Sequence, residues 1–495
     1  MRERMISGNK VVLALDFGAS SGRAFLGCFD GSRITMQESH RFSNDPVMLN
    51  GVLYWDFYRL FFEITQGILK AQREASVSSI GIDTWGVDFG LLRKDGSLIE
   101  TPVHYRDGRT KTSFPHALQK ISAERFYRIT GVQLMPLNTV FQLYALKEQR
   151  PYLLDGAETM LCMPDLFNYF LTGEKRTECS IASTTQMLDA CSQTWSEEII
   201  GTLGLPAHIL TPIIPSGTEI GLLKPSVCEG FGKTAVKVTA VCGHDTQSAV
   251  AAVPADCDDF IFVSCGTWSL FGTELNAPLI SADSVRFNIT NEIGFGGKTN
   301  FLKNCTGLWL IQESRRQWQR EGKNYSFAEL EAEARKAKPF VSFIDPDAPE
   351  LGVPGDIPGR IRAYCKNTGQ PVPETVGSIM QCIYQSLAFL YRKTLEEIEL
   401  CTGKRYPVIH IVGGGIKDTH LCRLAANACG RPVKAGPTEA SALGNIVVQL
   451  IASGDVRNIK EARKVIAASY PVAEYEPEDI GLWNEHYSTF RAFCR

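Results

Sequence analysis

One small pattern occurs twice in this chain, about half its length apart, and it limits what the chain can become. Residues 11–29, VVLALDFGASSGRAFLGCF, and residues 260–275, FIFVSCGTWSLFGTEL, each set two apolar, β-rich runs around a short polar tip containing glycine. Such runs on either side of a few turn residues read as antiparallel hairpins. A further strand over 34–41 extends the first hairpin into a meander. The two copies agree in pattern rather than identity, which alone does not establish a duplication. Length points the same way. At 495 residues the chain is too long for one ordinary core, and two domains of roughly 250 residues are expected.

Each half continues with alternating helices and strands. Residues 56–75 space Phe57, Leu60, Phe61, Ile64, Ile68 and Leu69 three and four apart, which predicts an amphipathic helix. A short strand follows at 79–83, with Thr84, Trp85, Gly86, Val87 and Asp88 just beyond its end. The cluster 105–110, YRDGRT, reads as a solvated surface turn. From there to about Pro225 the chain reads as helical and irregular, a part of the first domain that shapes a substrate. In the second half, Ile379, Ile383, Leu387, Leu390, Leu395 and Ile398 mark a long core helix over 375–400. A buried strand at 408–412 then opens into Gly413, Gly414 and Gly415, before a helix at 419–428, a strand at 431–435 and a helix at 439–451. This alternation implies α/β domains, 1–253 and 254–495, joined by the proline-marked polar segment 254–259.

Bulk properties narrow the class. Hydrophobic content of 44%, charged content of 21% and a formal charge of −3 describe an ordinary soluble protein without a nucleic-acid footprint. No apolar run nears the roughly 20 residues of a membrane span. The N-terminal apolar run leads straight into a strand and turn, so no secretory leader is expected. Fifteen cysteines, scattered without CxxC pairs, argue against a zinc site or disulfide framework and for a reducing cytoplasm. Cys365 and Cys382 could approach each other, but no bond is expected between them.

The stretch 235–250, AVKVTAVCGHDTQSAV, concentrates the chemistry. Its strand ends at Gly243, His244, Asp245 and Thr246, and a small-residue helix follows. Open α/β sheets bind ligands at such strand ends. Asp245 suits a catalytic base, and Asp245 or Thr246 equally suits a helix N-cap. The tip 18–23, with Ser20, Ser21 and Arg23, suits phosphate binding by backbone N–H groups, hydroxyls and a positive charge. Asp16 is placed to hold Mg²⁺ through water. The plain alternative for that motif is a glycine hairpin with a solvated acid. The glycine triplet suits a nucleotide lying against backbone, or simply a turn into a helix. Trp85 and Trp268 read as packing residues.

The order of these motifs is more specific than any of them. Through the segments LDFGASSGR at 15–23, SIGIDTWGVDF at 79–89, YRDGRT at 105–110, GHDTQSAV at 243–250, SCGTWSL at 264–270, NITNE at 288–292, LKNCTGLWLIQ at 302–312 and HIVGGG at 410–415, the chain resembles the FGGY family of sugar kinases. The resemblance implies two actin-like (ribonuclease H-like) ATPase domains with an interdomain cleft, and ATP with Mg²⁺ as cofactors. It also implies Asp245 as the general base on a sugar hydroxyl. Ala19, Ser20, Ser21, Gly22 and Arg23 would line the ATP phosphates, with Thr267 closing on them and Gln312 and Gly414 contacting the nucleotide. Gly86, His244, Asp245, Thr246 and Asn304 would touch the sugar. The narrower strings GASSGR and DTWGVDF single out the 1-hydroxyl of L-rhamnulose as acceptor, in L-rhamnose breakdown. L-fuculose or xylulose kinases of the same family are the alternative. A non-catalytic sensor on the fold would need no base, and an actin-like ATPase would need no His-Asp-Thr triplet. Gly243 and Gln247 depart from the family's usual residues. A cytoplasmic monomer or small homo-oligomer is expected, without nucleic-acid or membrane partners.

Overall fold

The opening hairpin forms where the alternation predicts it. In the computed structural model, which describes residues 10–227 and 235–494, β1 (Lys10–Phe17) runs antiparallel to β2 (Ser21–Phe29), and β2 to β3 (Ile34–Ser43). The predicted features of residues 1–9, including the reading against a leader, lie outside the described residues. β4 (Ser79–Thr84) pairs in parallel with β1, and the sheet goes on through β6 (Lys237–Ala240), parallel to β4, to β5 (Thr218–Leu222), antiparallel on β6. The order is β5-β6-β4-β1-β2-β3.

Helices cover the sheet and explain why β1 is apolar at nearly every position. The predicted amphipathic helix is Phe57–Glu74, capped by Asp56, whose carboxylate accepts the Arg59 N–H. It buries Phe57, Leu60, Ile64 and Ile68 and brings Gly67 against Ala24 and Leu15. The helix Ala440–Ala452 brings Ile446 against Gly27. A strand covered on both faces reads as a continuous apolar run.

The second sheet repeats the plan. β7 (Ile261–Cys265) is antiparallel to β8 (Trp268–Leu275), and β9 (Thr299–Thr306) lies next to β8. On the other side, β10 (Ile409–Val412) and β11 (Val433–Ala435) continue in parallel, and β12 (Ala473–Tyr475) closes antiparallel on β11. Of this sheet's seven strands, these six run β9-β8-β7-β10-β11-β12. In both sheets a hairpin opens the pattern, two parallel strands follow, and an antiparallel strand ends it. The repetition seen faintly in sequence is therefore plain in topology.

Contacts divide the chain into two units differently from one cut at 253/254. Unit 1 takes Met1–Asp256, Glu274–Phe301 and Ala440–Tyr470, and unit 2 takes Cys257–Thr273, Leu302–Glu439 and Pro471–Arg495. Packing explains the late segment of unit 1. Helix Ala440–Ala452 lies so tightly on helix Asp245–Ala251 that a Cβ on Gly444 would sit 1.7 Å from the Ser248 carbonyl oxygen. In unit 2 the long core helix is Val376–Thr402, opened by a Thr375/Ser378 capping box.

Two sequence expectations are corrected. Asp245 does not cap its helix: His244 is the N-cap residue, without a side-chain bond, and Asp245 is the first helical residue. Residues 105–110 are not a solvated turn. Asp107 accepts the N–H groups of Leu53 (3.0 Å) and Arg109 (2.9 Å), and the Arg109 guanidinium donates to Gln142. The described cysteines are all free thiols, Cys365 and Cys382 among them, although those two hydrogen-bond. No helix among the described residues is long and apolar enough to cross a membrane.

Gly444→Ala is predicted to push apart the two helices behind Asp245. Overpacking of this kind costs about 1–3 kcal/mol. A thermal melt should show a transition several degrees lower, and turnover should fall with it.

Candidate active site

Neighbouring parallel strands of unit 1 end side by side, and each leads to an acid. Asp16 of β1 lies in register with Asp83 of β4. Thr84 forms a parallel bridge to His244, the residue before Asp245, past the end of β6. The Asp16 carboxylate accepts the Arg23 guanidinium at 2.6 Å, from its register partner on β2. This pairing places the Arg23 charge beside Asp16 at the foot of the hairpin tip. Asp83 is fully buried and accepts the Asn445 amide at 2.7 Å. Burial, then the charges of Asp16 and Asp245, push its pKa well up against the pull of Asn445. Asn445 is held in turn by Gln449, which donates to its oxygen (2.7 Å) and to the Leu13 carbonyl (3.0 Å).

Asp245 keeps 28% of its side chain exposed, enough for a ligand to reach. The Thr246 hydroxyl donates to it at 3.2 Å, and His244 Nε2 lies 3.5 Å away. Burial raises its pKa to about 6; His244 pulls it down and Asp16 pushes it up. His244 is buried with Nδ1 2.9 Å from Glu292. Burial opposes its charge, but Glu292, Asp245 and Glu178 outweigh that and raise its pKa. The turn itself is fixed by Glu178, which accepts the Gly243 N–H (2.9 Å) and the Ser180 hydroxyl (2.6 Å). A Cβ at Gly243 would come 3.1 Å from both Glu178 and Pro164, so a larger residue would crowd this clamp.

Gly86 borders the same edge. A Cβ there would lie 3.4 Å from His244 Nε2 and 3.2 Å from Thr184. Val87 follows at φ +68°, a strained conformation for a β-branched residue. It is held by Thr184, which accepts its N–H at 3.1 Å, and by the Thr139 hydroxyl, which donates to its carbonyl at 2.6 Å. Asp88 anchors the loop by accepting the indole N–H groups of Trp55 (2.7 Å) and Trp85 (3.0 Å), the Tyr105 N–H and the Gln142 amide. Trp85 is indeed a packing residue, buried with its ring centroid 4.0 Å from that of Trp55 and tilted 34° to it.

The hairpin tip of unit 1 is tied from behind by Asn44. Its amide donates to the Gly18 carbonyl (2.9 Å) and its N–H to the Ser20 carbonyl (3.2 Å). Ala19 and Ser21 are partly exposed and Ser20 is exposed. Gly22 is buried, and a Cβ there would strike the Phe42 ring at 2.2 Å, so its smallness serves packing.

Unit 2 gathers its candidates at the ends of the parallel pair β7 and β10. Thr267 is in the tip after β7, and its hydroxyl donates to Gln312 at 3.3 Å. Gly413 takes φ +89°, open only to glycine at low cost, and its N–H donates to the Pro437 carbonyl at 3.0 Å. Gly415 packs on Cys265, whereas nothing lies within 4 Å of a Cβ at Gly414. Thr267, Gln312 and Gly414 therefore come together at one sheet end. Asn304, on β9, belongs to unit 2, apart from the other expected sugar contacts, which unit 1 holds.

Sequence reasoning gave no role to Asn44, Glu178, Glu292 or Asn445. The available signal was an amide inside a largely apolar element, as at Asn445 in Ala440–Ala452.

Two α/β units of like topology, each with polar groups at parallel strand ends, define the class of a ligand-handling α/β enzyme. Residues 11–252 match the N-terminal domain of the FGGY family of carbohydrate kinases, and 261–453 match its C-terminal domain. The chain is 41% identical over 483 residues to a rhamnulokinase of Bacteroides thetaiotaomicron, covering 97% of this chain and 99% of that one. It is 36% identical to a rhamnulokinase of Bacillus subtilis, with 95% and 96% covered. Its fold matches ligand-bound xylulose kinase from Lactobacillus acidophilus with a TM-score of 0.81 at 15% identity, covering 98% and 97%. It also matches Plasmodium falciparum glycerol kinase with ADP, TM-score 0.79 at 15% identity, again covering 98% and 97%. The chain belongs to the FGGY family of carbohydrate kinases.

Any step that uses Asp245 as a base needs it ionised. With its pKa near 6, kcat/KM should rise about tenfold per pH unit up to that value and level off above it. An acid limb near pH 4 would show that another, unperturbed group controls the rate.

Proposed function

We propose that this kinase transfers the γ-phosphoryl group of ATP to the 1-hydroxyl of L-rhamnulose, giving L-rhamnulose 1-phosphate and ADP in L-rhamnose breakdown. The observation that carries the acceptor is near full-length likeness, at 36–41% identity, to proteins named rhamnulokinase. The narrow string DTWGVDF supports it, since Trp85, Val87 and Asp88 build the loop beside Gly86 and His244.

Phosphoryl transfer asks the protein mainly to position groups and balance charge. In this reading Gly86, His244, Asp245 and Thr246 hold the sugar, with Asn304 as a further contact. Asp245 accepts the hydroxyl proton as the new O–P bond forms and ADP leaves. Its partial exposure admits the hydroxyl, and its pKa near 6 leaves it mostly ionised at neutral pH. Residues 19–23 and Thr267 attend to the phosphates, and Gln312 and Gly414 to the rest of the nucleotide. The tip contributes chiefly through its backbone and the hydroxyls of Ser20 and Ser21, because Arg23 is paired with Asp16.

The residues present also fit Mg²⁺. Asp16 and Asp83 supply hard oxygen donors side by side, and one buried Asp83 oxygen has no hydrogen-bond donor. Asp16 would hold such an ion through water, since Mg²⁺ usually keeps several waters and takes one or two carboxylates. When bound, the ion would neutralise charge on the phosphates.

A coupled ADP-release assay over L-rhamnulose, L-fuculose and D-xylulose tests the acceptor. The highest kcat/KM is expected with L-rhamnulose, and the product should carry its phosphate on C1. Turnover of another ketose with none on L-rhamnulose would overturn the assignment while leaving the kinase class intact.

A further inference from the structure

Beside Asp245 lies a row of buried polar groups that the reaction as described does not use. Glu292 is on the short strand Thr290–Ile293, every residue of which is buried. Its Oε2 lies 2.9 Å from His244 Nδ1 and accepts the Gln247 amide at 2.7 Å. Gln247 is fixed in turn by the Asn300 amide, which donates to its oxygen. The far edge of the same imidazole, Nε2, lies 3.5 Å from Asp245 Oδ1. The backbone of His244 is held independently, its N–H donating to Ser180 Oγ at 3.3 Å. The ring therefore stands between two carboxylates in one line, Glu292, His244, Asp245.

We propose that Glu292 is a positioning residue for phosphoryl transfer: by holding Nδ1–H of His244 it turns Nε2 onto the Asp245 carboxylate and fixes where the base points. An ionised carboxylate has no proton to give, so Nδ1 must donate to it. With Nδ1 committed, a neutral ring would aim its Nε2 lone pair at Asp245, whereas the imidazolium aims an N–H. Burial disfavours the charged ring unless it is paired, and Glu292 is the anion against Nδ1. The other charged groups facing this pair are Glu178, which also favours the cation, and Asp16 and Asp83, which face Asp245; Asp16 opposes its ionisation, and Asp245 opposes that of Asp83. The cation in turn keeps Asp245 ionised and ready. A carboxylate behind an imidazole serves the same orienting purpose in hydrolytic triads.

The inference rests on Asp245 being the base, and the test separates the two. In Glu292→Gln the ring loses its anion. Its kcat at pH 7 should fall about tenfold or more, the acid limb of kcat/KM should move up by about one pH unit, and KM for ATP should stay within about twofold. Glu292→Asp, which restores the charge, should recover part of the loss. A Glu292→Gln pH profile matching wild type, alongside an inactive Asp245→Asn, would overturn the positioning role alone. Equal losses in Glu292→Gln and Glu292→Asp at every pH would reduce Glu292 to a structural brace and also overturn it. An active Asp245→Asn would overturn the base reading and this inference with it. The wild-type enzyme offers a readout that no folding defect can spoil. With ¹⁵N-labelled histidine, Nδ1 of His244 should stay protonated whether the ring is neutral or charged, and a neutral ring protonated at Nε2 instead would contradict the proposal.

Discussion

Crowded carboxylates at the ends of parallel strands are the constraint on which the rest of unit 1 depends. Asp16 and Asp83 are forced together by strand register, and the bridge from Thr84 to His244 brings Asp245 to the same end of the sheet. Buried like charges repel strongly unless each is paired, protonated or given a donor. Each acid here is answered differently. Arg23 takes Asp16, Asn445 takes Asp83, and His244 takes Asp245. The least buried of the three, Asp245, is the one left with access to a ligand.

Those answers reach far into the chain. Asn445 comes from a helix almost two hundred residues beyond Asp245 in sequence, and it is aligned by Gln449 on the same face. Gly444 lets that helix touch the one that begins at Asp245. The late helix therefore both packs the core and supplies the donor that lets Asp83 stay buried. Glu178 and Glu292 act from the other side, clamping the turn and the ring of His244.

Local chemistry was the legible part of this protein. The β1–β2 hairpin, the tip at Thr267, the glycine turn at Gly413 and the helix Phe57–Glu74 all stand within a residue or two of where periodicity and turn residues put them. What sequence could not give was partnership. That Arg23 pairs with Asp16 depends on β-register, which flips with a single-residue shift. Arg109 read as a solvated charge because nothing nearby in sequence reveals Gln142 beneath it. Asp245 read equally as cap and base because cap geometry depends on backbone angles that make His244 the N-cap and Asp245 the first helical residue. The division into units was hidden for the same reason, since Ala440–Tyr470 joins unit 1 through contacts remote in sequence.

The account stands or falls on Asp245, and a single-turnover measurement tests it most directly. Rapid-quench mixing of saturating ATP and L-rhamnulose would report the phosphoryl-transfer step, with ADP affinity measured separately. Asp245→Asn should slow that step by roughly 10²–10⁴-fold while ADP binds within about twofold of wild type. Transfer by Asp245→Asn at a near-wild-type rate would contradict the account.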